Sequence, residues 1–250
     1  MPFTLSHPLG ALPLKWLSPR LFSTTGLIFG SMAPDYEYFI KRYPSPTLGE
    51  LGWGIFLFDL PLAILGAFVF QLLIKQPLLQ HLPHPLDRRL SGYAQAPFLS
   101  YLGRHWLIFL FSILLGIGSH LLLDWLTNPG VGPLAGTVLT TATIGIGPFS
   151  ATPLLLADHA FSILGLLLLV GIVVRLHRPS ADFRQASRGR KWVYWGLLVA
   201  TAAFLVATEW QQADGFEGFK KGVTTGVWAL FAGLVGASVF IRLILRTKAS

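Results

Sequence analysis

The chain has 250 residues, of which 53% are hydrophobic and only 12% charged, and its mean hydropathy is +0.61. Soluble domains carry about 25% charged residues, so this composition excludes an ordinary soluble fold and predicts a single all-α, polytopic membrane domain. The net charge of +8 sits in short loops between apolar runs, where it sets topology and meets anionic lipid. The lack of cysteine leaves only nitrogen and oxygen to hold any metal.

Residues 1–50 read as an interfacial or half-span segment, and 51–250 as a transmembrane helical bundle. The opening MPFTLSHPLGALPLKW has no basic n-region and no uninterrupted apolar run, so it is read as retained rather than as a removable signal peptide. Ser6 ahead of His7-Pro8 is placed to cap a short helix. Leu21 to Ala33 is too short to span and carries the close-packing spacing Gly26-x-x-x-Gly30. It ends in Pro34-Asp35, with Glu37 close behind, and is read as a buried half-span delivering Asp35 into a cleft.

About five spans follow: 51–74, which contains Asp59 and Pro61, then 104–126, 154–174, 192–208 and 223–245. The last opens with Gly222-x-x-x-Gly226, a helix-contact spacing that is common by chance. Asp59 lies close enough to the outer end of the first span to partner the other acids and histidines, with snorkelling to the outer surface the favoured reading. The loops at 75–104 and 175–191, together with the C-terminus, hold most of the arginines and lysines, whereas 127–153 holds none. The positive-inside rule therefore puts the basic segments and the C-terminus in the cytoplasm and residues 1–50 outside. The uncharged stretch 134–153 reads as a re-entrant loop or an ordinary external connection.

This topology sorts the polar residues. His120 and Asp124 lie one helical turn apart at the outer end of the second span, and Asp158-His159 opens the third. Asp35, Glu37 and His7 precede the first span on the same side. A carboxylate within a span costs about 2.5–3.5 kcal/mol near its centre, so acids and histidines gathered at one level predict a joint metal site. His7, Asp35, His120, Asp124 and His159 are the candidate ligands, with Asp158 or Glu37 as the group that accepts a proton from water. His159 diverges from Asp158 by about 100° on a helix, so one of the two serves in an outer shell. His81 and His84 lie in a basic loop on the opposite face and are left out. There is no phosphate-binding glycine loop, no nucleophile elbow and no basic–aromatic stripe for nucleic acid.

MPFTLSHP, GSMAPDYEYF and HLLLDWLTNPG carry a resemblance. They look like an uncharacterised bacterial domain-of-unknown-function family of multi-span proteins that open with MPFT-x-SH and have about this length. The order His, Pro-Asp, His-x-x-x-Asp, Thr, Pro-Gly is also similar to inner-membrane metal-dependent hydrolases, and more remotely to zinc-dependent phospholipase C. Carried over by motif, the resemblance implicates His7, Asp35, His120 and Asp124, with His159 behind them. A His-Arg-Gly-x-Thr-His segment found in the hydrolases has no counterpart here.

The reading is thus a metal-dependent hydrolase site at the non-cytoplasmic membrane face. Zinc is the default ion, with manganese or iron allowed by the same ligands. Membrane lipid is the expected partner, a phospholipid or lipid-linked phosphoester the expected substrate, and nucleic acid is not expected. The competing reading is a membrane scaffold or small transporter with a structural or relay His/Asp cluster.

Overall fold

The computed structural model describes residues 4–41, 52–130, 132–146, 149–179, 183–210 and 215–247. Five described helices are long and apolar enough to cross a membrane: Ile55–His81, Phe98–Thr127, Pro153–Arg175, Arg188–Thr208 and Thr225–Leu243. These are the first to fifth spans, and they mark an integral membrane protein. The first runs on past residue 74 and the second starts ahead of residue 104, so both take in polar residues that the sequence places at span ends. Lys75, for example, is buried and donates to the Ala96 carbonyl at 3.0 Å. The second span starts before Arg104, and His105 interrupts its helical backbone with φ −134° and ψ 30°.

Two compact units make up the chain: 1–36, 47–64 and 105–175 form one, and 37–46, 65–104 and 176–250 the other. In the first unit a 3-10 turn, Thr4–Ser6, leads into α1 (Pro8–Leu17). The residue at the α1 N-cap is His7 rather than Ser6, and its side chain makes no capping bond. Helix α2 (Thr24–Met32) packs against α1. At about 1.5 Å per residue, α2 is far short of a bilayer core, as the half-span reading requires. A 3-10 turn, Ala33–Asp35, then leads into α3 (Tyr36–Lys41).

The connection before the third span is neither a bare loop nor a long helix. It contains a helical turn, Val138–Thr141, and a hairpin of β1 (Ile144–Ile146) and β2 (Phe149–Ala151), antiparallel with Ile144 opposite Ala151.

The first span opens with a π-helical turn, Ile55–Asp59, that packs against the Ala33–Asp35 turn. Asp59 is fully buried there and does not snorkel. An aspartate has a single methylene, whereas snorkelling relies on the long stems of Lys and Arg.

In the second unit the fourth and fifth spans pair along Tyr194, Leu198, Ala237 and Ile241. The close approach falls at Gly233, where a Cβ would lie 2.8 Å from the Leu198 carbonyl oxygen, while Gly226 faces open space. The Gly222-x-x-x-Gly226 spacing is therefore not the contact.

Candidate metal centre

Backbone contact between α2 and the second span builds the site. A Cβ on Gly30 would fall 2.2 Å from the Ile113 carbonyl oxygen, and one on Gly116 would fall 2.6 Å from that of Leu27. Gly26 meets Phe109 in the same way, at 2.7 Å. Only residues without a side chain permit this approach, so both members of the Gly26-x-x-x-Gly30 pair are used as packing glycines. Ser112 locks the crossing: its Oγ accepts from the Ser23 N–H at 2.7 Å and donates to the Ile108 carbonyl at 2.6 Å. Ser112, Gly116, His120 and Asp124 recur every fourth residue, so a single helix face carries the lock, the notch and two candidate ligands.

With the backbones this close, the His120 ring reaches α2. Its Nδ1 lies 2.7 Å from the Ser31 carbonyl oxygen. A carbonyl only accepts, so Nδ1 carries a proton and donates it. That leaves Nε2 facing two carboxylates, Asp124 Oδ2 at 3.3 Å and Asp35 Oδ1 at 3.7 Å.

His7 arrives from the other side. Its ring stacks on that of His120 with centroids 4.0 Å apart and planes 17° from parallel. Its Nε2 lies 3.5 Å from Asp124 Oδ1, and its Nδ1 lies 3.9 Å from Asp35 Oδ2. Both imidazoles are 1% exposed, and among the described residues neither nitrogen of His7 is hydrogen-bonded. Two close fits hold the His7 segment. Gly165 of the third span would place a Cβ 2.9 Å from Ser6, and Gly10 one 2.8 Å from Leu123.

One nitrogen from each histidine and one oxygen of Asp124 lie within 4.8 Å of one another, so this triad has the spread of a metal site. Tetrahedral zinc with bonds of about 2.0–2.1 Å sets its ligand atoms about 3.3 Å apart. The 3.3 Å from His120 to Asp124 Oδ2 and the 3.5 Å from His7 to Asp124 Oδ1 are each near that edge but reach different oxygens, so a single Asp124 oxygen serving both histidines would need the group to draw in from its 4.8 Å spread. The charges also fit. Two buried carboxylates meet only imidazoles among the described residues, and a divalent cation would bring the group to neutrality. Next to Asp35, burial first and the Asp35 charge second push the Tyr36 hydroxyl well up, so it stays protonated.

The remaining candidates are placed differently. His159 is exposed, and its Nδ1 lies 2.8 Å from the Leu155 carbonyl oxygen of its own helix, so the structure does not bring it to the triad. Asp158 is buried on the third span, the helix that packs on Thr4–Ser6 just ahead of His7. Glu37 is fully buried in α3 and falls in the second unit. His81 and His84 lie in the second unit. His81 is bonded to the Pro77 carbonyl and stacked on Tyr194, and His84 is beside Asp87.

Sequence reasoning did not single out Ser31 or Gly116. The Ser31 carbonyl is a backbone group and leaves no residue-type signal. Gly116 was visible as the residue one turn before His120 on the same face. No curated protein and no solved structure matches the chain. A family model described as a domain of unknown function, DUF4184, matches residues 1–246, and the chain belongs to that family.

Proposed function

We propose that the protein is a membrane-embedded, metal-dependent hydrolase whose ion is held by His7, His120 and Asp124, with Asp35 beside them. Zinc suits this sulfur-free set, and manganese or iron would use the same donors. The observation that carries the reading is the fixed tautomer of His120. With Nδ1 committed to Ser31, Nε2 points a lone pair at two carboxylates unless a proton or a metal lies between them. Protons alone are a poor answer. Placing a proton on each histidine stacks two imidazolium rings 4.0 Å apart, where like charges in a buried site repel strongly, and placing it on a carboxylate instead gives up that group's charge.

When bound, the ion supplies Lewis acidity, making a water acidic near neutral pH and polarising an ester oxygen. The chain's own groups do the rest. Ser31 orients His120, the glycine crossing keeps the ligand rows in register, and Asp35 offers a second carboxylate to the histidines. Asp158 is our candidate to accept the proton of the attacking water, because it is buried on the span that packs on the turn just ahead of His7. The substrate that suits a site within a membrane-spanning bundle is a phospholipid or another lipid-linked phosphoester, with the site at the non-cytoplasmic face by the charge asymmetry of the loops.

The test is metal content and turnover of the full chain in detergent. The wild type should carry about one ion per chain and His120→Ala none. A chelator should abolish hydrolysis of a fluorescent phospholipid, and added zinc should restore it. Equal, negligible metal in wild type and variant would defeat the metal reading. Stoichiometric metal without hydrolysis of any phosphoester would leave a metal-binding scaffold instead.

A further inference from the structure

In the second unit two loops are bound into one body. The segment after the third span lies along the short helices Leu86–Arg89 and Ser91–Ala94 that precede the second. Arg178 N–H donates to the Arg89 carbonyl at 2.6 Å, and Gly92 N–H to the Arg178 carbonyl at 2.7 Å. Gly92 has to be a glycine for this, because a Cβ there would lie 2.7 Å from the Arg178 carbonyl oxygen. Further along, Ala186 N–H reaches the Gln80 carbonyl at 3.1 Å, and the Trp195 indole reaches that of His81 at 2.8 Å.

The charge on this body is one-sided. Its described carboxylate, Asp87, is buried and already engaged: Lys191 pairs with one oxygen, and the Arg88 N–H and His84 meet the other. Lys191 is thereby used internally. Arg88, Arg178, Arg184, Arg188 and Arg190 stay exposed, and the Nε of Arg89 is buried with no acceptor. The Arg178 guanidinium lies over the Tyr93 ring at 5.5 Å, which fixes its plane and leaves its edge free to donate.

Membrane topology requires positive charge and is indifferent to whether lysine or arginine supplies it. Here every exposed cation named is an arginine, and Arg178 sits on backbone held by hydrogen bonds to Arg89 and Gly92. A planar fork held in place is what a phosphate oxygen pair recognises. We propose that these paired loops form a binding platform for the phosphate headgroups of anionic lipid in the leaflet they face, centred on Arg89 and Arg178.

The test uses the full chain in nanodiscs of equal parts phosphatidylcholine and phosphatidylglycerol, with the lipid kept on release counted by native mass spectrometry. The wild type should retain phosphatidylglycerol in preference to phosphatidylcholine. Each arginine removed near a surface lowers that binding about fivefold, so Arg89→Gln with Arg178→Gln should weaken it about 30-fold. The pair Arg89→Lys and Arg178→Lys keeps the charge but should still bind less than wild type. Arg184→Gln with Arg188→Gln changes only exposed side chains of the same body and should give a clear but smaller loss, which keeps the test valid if the first variant folds poorly, while a loss as large as the first pair's would overturn the assigned centre. Equal retention of the two lipids would overturn the proposal, as would lysine variants equal to wild type. Displacement of the lipid by inorganic phosphate or by a single-stranded oligonucleotide would assign the platform to a different anion.

Discussion

Both units bury carboxylates, and they answer them in different ways. In the second, Asp87 meets the ammonium of Lys191 and the two form a closed pair. In the first, Asp35 and Asp124 meet only histidines among the described residues, at 3.3 to 3.9 Å. An imidazole carries a lone pair as readily as a proton at neutral pH. The second unit's arrangement is finished when the chain folds, whereas the first unit's histidines and carboxylates could still hold a cation. A buried acid beside a lysine is thus weak evidence for function, and a buried acid beside a histidine of fixed tautomer is much stronger evidence.

The largest expected effect breaks the closed pair. Lys191→Met strands a buried carboxylate and should cost about 3–5 kcal/mol. The double variant with Asp87→Asn should recover most of that loss in thermal or denaturant unfolding. Metal content should be untouched in both. If Lys191→Met empties the metal site, the contrast between the two units is wrong.

A smaller effect separates geometry from chemistry at the other pole. Gly30→Ala forces a methyl to within 2.2 Å of the Ile113 carbonyl oxygen. The strain should cost about 1–3 kcal/mol, and pushing the helices apart should also draw His120 off Ser31. Metal should therefore be lost although every ligand is still present. Retained wild-type affinity would show that the crossing does not position the site.

The smallest effect is in pH. Burial alone would raise the Asp87 carboxyl, but Lys191, the Arg88 N–H and His84 outweigh it and hold the group below its usual value. A depressed folded value means that the stabilisation is complete above the unfolded value of about 4 and fades as pH falls through the folded one. Thermal midpoints in acid should therefore fall less steeply for Asp87→Asn than for wild type. Parallel acid profiles would remove the second unit's closed pair as a source of stability.

Much of this was legible beforehand. Long apolar runs revealed the five spans, since in lipid every backbone group must bond within its own helix. Gly26 and Gly30 revealed the crossing, and His120 with Asp124 revealed a shared face. His7 and Asp35 joined them through topology and family resemblance rather than any local pattern. What could not be read was rotation about a helix axis. His159 and Asp158 adjoin in sequence, yet one is exposed and the other buried. Hydropathy, high on every side of the third span, does not say which faces inward. The Ser31 carbonyl escaped because every residue has one.

The π turn at Ile55–Asp59 has a consequence for how this chain tolerates length changes. Its closing bond runs from the Leu60 N–H to the Ile55 carbonyl, one residue longer than an α-helical bond. A wide turn takes in one residue more than an α-helical turn for about the same rotation, so a single-residue deletion there would let it relax to ordinary helix with the residues beyond it still in phase. The same deletion in an α-helical stretch of the span would rotate everything after it by about 100°, so this wide turn behaves as a stored insertion, a place where the span can lose a residue without turning its buried face outward.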